Sequence, residues 1–106
     1  MTFLATPPRQ TERAFQAEVT GLAEMLGYAW YHTYRSTRSP AGFPDLVLVR
    51  PAGRGRSGRV IFAELKAQRR TVTLAQRTWL ATLAEAGAEA YLWRPSDLQS
   101  IARTLR

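Results

Sequence analysis

The sequence predicts an α/β domain, a mixed sheet flanked by helices in the order α-β-β-β-α-β-α. Three patterns carry that prediction: an amphipathic stretch at helical spacing near the start, two apolar runs joined by a glycine-rich loop, and a helix–strand–helix succession to the end. At 106 residues the chain suffices for one hydrophobic core and not for two. Residues 11–106 are therefore expected to form a single domain, and residues 1–10, with Pro7 and Pro8, a flexible tail.

Thr11 reads as a helix cap with Glu12 in the first turn, and the helix runs to Gly27, a left-handed stop. Phe15, Val19, Leu22 and Leu26 fall on one face of it. Residues 28–33 are aromatic and β-rich, a first strand, and residues 34–42 carry the Ser, Thr, Pro and Gly of a loop. The run FPDLVLV (residues 43–49) is a second strand, apolar enough to be buried on both faces. RPAGRGRSGR then reads as a flexible basic hairpin loop, and residues 60–66 as the third strand. Thr73 opens a second helix that ends near Gly87, residues 89–93 form a strand, and Ser96 caps a last helix over residues 97–105.

Composition narrows the function classes. The chain has no cysteine, which excludes disulfides and thiolate metal sites, and its single histidine, His32, argues against zinc. No run approaches the ~18 apolar residues of a membrane-spanning helix, so no membrane partner is expected. The start MTFLATPPRQ lacks the apolar core of a secretion signal, and a cytoplasmic location is expected. A net charge of +7 points to an anionic partner, nucleic acid first. Fourteen of the fifteen basic residues are arginine, and the one lysine, Lys66, lies in VIFAELKAQRR.

Strand alternation puts Val60, Phe62, Glu64 and Lys66 on one side, so a carboxylate and an ammonium stand together. An edge strand with a solvated salt bridge would read the same way. Asp45 sits in an apolar run directly after Pro44, where it either caps a turn or meets Glu64 across a hairpin. Two converging carboxylates with water are hard oxygen ligands suited to Mg²⁺. Glu18 borders the apolar stripe of the first helix and could equally reach solvent. Gln76 projects into the stripe formed by Trp79, Leu80, Leu83 and Ala86, yet it also occupies the last position of a T-x-x-Q capping box.

GFPDLVLV, a loop, ELK, and then a helix with Q-x-x-W-L and a trailing glycine together resemble the PD-(D/E)xK nuclease superfamily. Within it the chain is most similar to the VRR-NUC domain in its compact stand-alone form, from FQAEV at position 15 to YLWRP at 91–95. Separately PD and E-x-K are weak motifs; their order and the nineteen-position separation of Asp45 and Glu64 make the combination specific. The resemblance implies a restriction-endonuclease-like fold and a Mg²⁺- or Mn²⁺-dependent deoxyribonuclease. It makes Asp45, Glu64 and the backbone carbonyl of Leu65 metal ligands, with Glu18 contributing to metal or water binding. Lys66 would orient the attacking water, and Gln76 would lie beside the site. Arg54, Arg56, Arg59, Arg69 and Arg70, with Arg35 and Arg38 before Asp45, would hold the DNA backbone. A homodimer acting on branched DNA, as Holliday-junction resolvases do, is the implied assembly. The alternatives are a monomeric flap or nicking nuclease and a catalytically silent nucleic-acid-binding module.

Overall fold

In the computed structural model, which describes residues 10–34 and 37–106, helix α1 (Glu12–Met25) begins where the Thr11 hydroxyl accepts from the Ala14 N–H at 3.0 Å. Gly27 ends it with a φ of +90°. Strands β1 (Ala29–His32), β2 (Leu46–Arg50) and β3 (Arg59–Leu65) follow, then α2 (Leu74–Glu85), β4 (Glu89–Trp93), a 3₁₀ turn (Pro95–Asp97) and α3 (Leu98–Leu105). The sheet order is β1-β2-β3-β4, with two antiparallel pairings and a parallel β3–β4 pair across α2. This is the mixed α/β architecture that the patterning predicts. The expected tail falls almost wholly on residues 1–9, outside the described residues, as does Arg35.

Helices α1 and α3 cover one sheet face. Phe15, Val19, Leu46, Leu48, Ile61, Ala63, Leu65, Ile101 and Leu105 form its core, each almost completely buried. Helix α2 packs on the other face but covers only part of it. Val49 of β2 stays exposed, so this strand is buried on one face and not on two.

The RPAGRGRSGR segment closes as a tight hairpin tip. Gly53 and Arg56 exchange both backbone hydrogen bonds, and Arg54 and Gly55 between them take φ of +47° and +77°. Two successive left-handed residues match the twist of a two-residue hairpin turn. The last helix also starts later than expected. Asp97 accepts from the Arg94 N–H at 2.8 Å, while the Ser96 N–H donates to the Gln68 side chain at 3.0 Å. Ser96 therefore does not cap α3.

Gly42 seats the loop before β2 against α2. At φ +93°, a β-carbon there would lie 2.5 Å from the Ala75 carbonyl carbon and 2.7 Å from the Gln76 nitrogen. The left-handed backbone alone costs an L-residue about 1–2 kcal/mol. Gly42→Ala is expected to lower unfolding stability by at least about that much in denaturant titration. An unchanged midpoint would show that the loop is free to lift off α2.

Candidate active site

Asp45 lies one step before β2. Continuing the pairing Leu46↔Ala63 sets it opposite Glu64. Its Oδ2 accepts from the Leu65 N–H at 2.9 Å, which locks the carboxylate onto the end of β3. Glu64 is 2% exposed and Lys66 6%. Glu64 Oε1 is buried without a hydrogen-bond partner. The Glu64–Lys66 pair does not close to salt-bridge distance, so the ammonium acts on Glu64 through its charge and keeps its donors. Burial, then the neighbouring Asp45 carboxylate, push the Glu64 pKa up to about 8 against the opposing charge of Lys66.

The chain after Lys66 is held tightly. The Lys66 N–H donates to the Trp93 carbonyl at 3.0 Å. Arg94 Nη1 donates to the carbonyls of Ala67, Gln68 and Arg70 at 2.8, 3.3 and 2.8 Å. Arg94 escaped sequence reading because one arginine among fourteen carries no signal. Through this clamp it positions the loop that bears Arg69 and Arg70. Those two arginines line a cavity of about 470 Å³ together with Arg77 and Arg94.

The helix-1 carboxylate that reaches this region is Glu12, whose Oε1 accepts from the Ala67 N–H at 3.4 Å. Glu18 is exposed and accepts from the Gln10 side chain. The buried arc of α1 consists of Phe15, Val19, Thr20 and Ala23. At about 100° per residue Glu12 lies in the middle of that arc and Glu18 roughly a third of a turn away. Glu18 falls between Met25 and Leu22 on the apolar side of the sequence pattern, but Met25 is 83% exposed and Leu22 only partly buried. The available signal was the spacing of Glu12, Phe15 and Val19 at i, i+3, i+7.

Gln76 closes the capping box: its Oε1 accepts from the Thr73 N–H at 3.0 Å, and its own N–H donates to the Thr73 hydroxyl at 3.1 Å. It nevertheless lines a cavity of about 1220 Å³ that also contains Asp45 and His32.

The basic residues divide by location. Arg59 donates to both oxygens of Glu89 at 2.6 and 2.9 Å, to the Tyr28 hydroxyl at 2.9 Å and to the Thr104 carbonyl at 2.7 Å. The same guanidinium holds the Glu89 carboxyl below its usual pKa. Arg59, expected among the DNA contacts, is thus tied into the fold by four hydrogen bonds. Arg54 and Arg56 occupy the hairpin tip, beyond the end of β3 opposite Glu64; five residues of strand alone span roughly 17 Å. Arg38 is exposed on the loop before Asp45.

A family model described as the VRR-NUC domain matches residues 5–96. The chain belongs to the VRR-NUC domain family. A solved structure titled "VRR_NUC domain protein" shares the fold, with a TM-score of 0.64, 21% identity and 92% of each chain covered. No curated protein sequence matches significantly. VRR-NUC membership implies a nuclease-type function.

Among the described residues no three His, Cys, Asp or Glu side chains converge as a metal cage. Asp45 and Glu64 do provide two hard carboxylates, one with an orphaned oxygen, and the Leu65 carbonyl lies between Glu64 and Lys66 in the chain. That donor set suits an oxygen-seeking cation that retains waters, such as Mg²⁺ or Mn²⁺. Among the described residues no helix is long and apolar enough to cross a membrane.

The raised Glu64 pKa fixes a sign for stability. Below about pH 4.5 Glu64 is protonated in both folded and unfolded chains; between 4.5 and about 8 only the folded chain keeps the proton. Its contribution is therefore lost as pH rises through that window. In metal-free protein, the melting temperature of wild type relative to Glu64→Gln is expected to fall from about pH 5 to about pH 8. A flat or rising difference would contradict the assignment.

Proposed function

We propose that the chain is a divalent-metal-dependent DNA endonuclease whose centre is Asp45, Glu64 and Lys66. The observation that carries this reading is the buried Glu64 oxygen without a partner, beside Asp45 and the side chain of Lys66, itself 6% exposed. A folding role would leave such a group paired or replaced, because a buried polar atom without a hydrogen bond is costly.

Asp45, Glu64 and the Leu65 carbonyl would hold Mg²⁺ or Mn²⁺, which supplies Lewis acidity at a phosphate oxygen and lowers the pKa of bound water. The Leu65 N–H occupies one Asp45 oxygen and leaves the other for the cation. Lys66 holds a compact ammonium at the same strand end, where it orients water and stabilises charge developing on phosphate. Glu12, and not Glu18, is the helix-1 carboxylate placed to take part. For Gln76, the cap engages Oε1 and leaves the amide nitrogen for substrate. Arg69, Arg70 and Arg38 would contact the DNA backbone near the centre, and Arg54 and Arg56 at a distance from it.

The finer reading is a homodimer that cuts branched DNA. Supporting it, Tyr31, Val49 and Val60 leave the sheet face beyond α2 exposed by 63%, 41% and 48%. A second copy on that face would bring two centres into a two-fold arrangement. A monomer in sedimentation would favour a flap or nicking nuclease instead.

Cleavage of labelled junction, flap, duplex and single-stranded DNA with Mg²⁺ or Mn²⁺ tests the proposal. Asp45→Asn, Lys66→Ala and Lys66→Arg are each expected to lose at least about a hundredfold in rate, the lower range for a positioned acid–base group. Lys66→Arg should retain DNA affinity, because charge persists while geometry and proton exchange do not. Wild-type rates in all three variants would remove the site assignment, and tight binding with no cleavage in either metal would favour a silent binding module.

A further inference from the structure

The cavity of about 470 Å³ lies on the other side of Glu64 from Asp45. Sheet register gives the placement: Glu64 stands opposite Asp45 toward β2 and pairs with Leu92 toward β4, and Leu92 lines this cavity. Its volume is within the roughly 300–1,000 Å³ of small-molecule sites. Val72, Leu80 and Leu92, all half-buried, give it an apolar floor. Arg69, Arg70 and Arg77 stand exposed around that floor.

These three guanidinium groups have no protein partner. None makes a hydrogen bond or ion pair with another described residue, and among the described residues no carboxylate lines the cavity. Their backbone, by contrast, is fixed. The Arg70 N–H donates to the Ala67 carbonyl at 3.1 Å, and Arg94 Nη1 gathers the carbonyls of Ala67, Gln68 and Arg70. Arg77 stands in the first turns of α2, its N–H bonded to the Thr73 carbonyl at 3.0 Å. Gln68 Oε1 accepts from the Ser96 N–H at 3.0 Å, which leaves the Gln68 amide nitrogen as a further donor at the cavity. Like charges held on a rigid frame, without counter-charges, form a preorganised anion site.

The charge density indicates which anion. A DNA strand offers a single charge per phosphate, whereas a diphosphate group concentrates several in one compact unit that can meet three guanidinium forks at once. We propose that this cavity binds a diphosphate group, supplied as inorganic pyrophosphate or by a nucleotide, on Arg69, Arg70, Arg77 and the Gln68 amide. The base of a nucleotide then lies on the floor of Val72, Leu80 and Leu92. Filling the cavity withdraws Arg69 and Arg70 from DNA, so the ligand competes with DNA; this consequence alone rests on the nuclease reading.

The test is calorimetric titration of the protein with a chelator present, so that no cation bridges phosphate to Asp45 and Glu64. Pyrophosphate and adenosine diphosphate are expected to bind at least about tenfold more tightly than orthophosphate, the worth of one added charge-assisted contact. Arg77→Gln should lose about tenfold in affinity for both. Arg103→Gln, the same charge change on the exposed side of α3, should lose none. Tighter binding of adenosine diphosphate than of pyrophosphate assigns the site to a nucleotide, and the reverse order to the inorganic ion. No binding, no preference over orthophosphate, or equal losses in the two variants would overturn the proposal. Saturating pyrophosphate should also weaken DNA binding by wild type and not by Arg77→Gln; equal weakening would be ionic screening and would overturn the competition. Failure of the nuclease reading is separately visible, as absent DNA binding beside intact diphosphate binding.

Discussion

A carboxylate buried to 2% exposure, facing a second carboxylate and an ammonium, is the constraint around which the rest of this fold is arranged. Taking such charges out of water is unfavourable unless partners compensate them. Here compensation stops short. Asp45 is anchored by the Leu65 N–H, Glu64 answers by holding its proton, and Lys66 remains near but unpaired. The surrounding structure keeps the three groups from relaxing apart. Gly42 presses the loop before Asp45 onto α2, the Lys66 N–H is bonded to β4, and Arg94 gathers three carbonyls of the following loop.

The two ends of the β2–β3 hairpin use charge differently. At the far end, Arg50 lies 5.0 Å over the Tyr28 ring and donates to the Leu105 carbonyl at 3.1 Å, while Arg59 chelates Glu89. These planar, multi-donor guanidinium groups tie the C-terminal helix to the sheet, a task for which an ammonium is poorly shaped. At the near end the chain spends its one lysine, where a compact charge with exchangeable protons suits phosphate chemistry. The preference for arginine elsewhere is therefore what makes Lys66 informative.

Much of this was legible because it follows from local rules. Period-two alternation brings Glu64 and Lys66 to one face, hairpin register brings Asp45 opposite Glu64, and the T-x-x-Q spacing forms its capping box. What could not be read depends on which neighbour covers which residue. The buried arc of α1 is chosen by the sheet beneath it, which takes Thr20 and Ala23 and so favours Glu12 over Glu18. Arg59 and the other arginines look alike in composition, and only the register that sets Arg59 near Glu89 separates a structural arginine from one open to DNA. Ser96 was a plausible cap, but it lies inside the 3₁₀ turn Pro95–Asp97, which moves the start of the last helix on to Asp97.

The central proposal is that half-buried Asp45 and buried Glu64 are set side by side to hold a divalent cation. Titration of Mn²⁺ followed by electron paramagnetic resonance tests it without reference to cleavage. Wild type and Glu18→Gln are expected to bind Mn²⁺ alike, whereas an Asp45→Asn/Glu64→Gln double variant loses that site. Undiminished Mn²⁺ binding by the folded double variant would contradict the account.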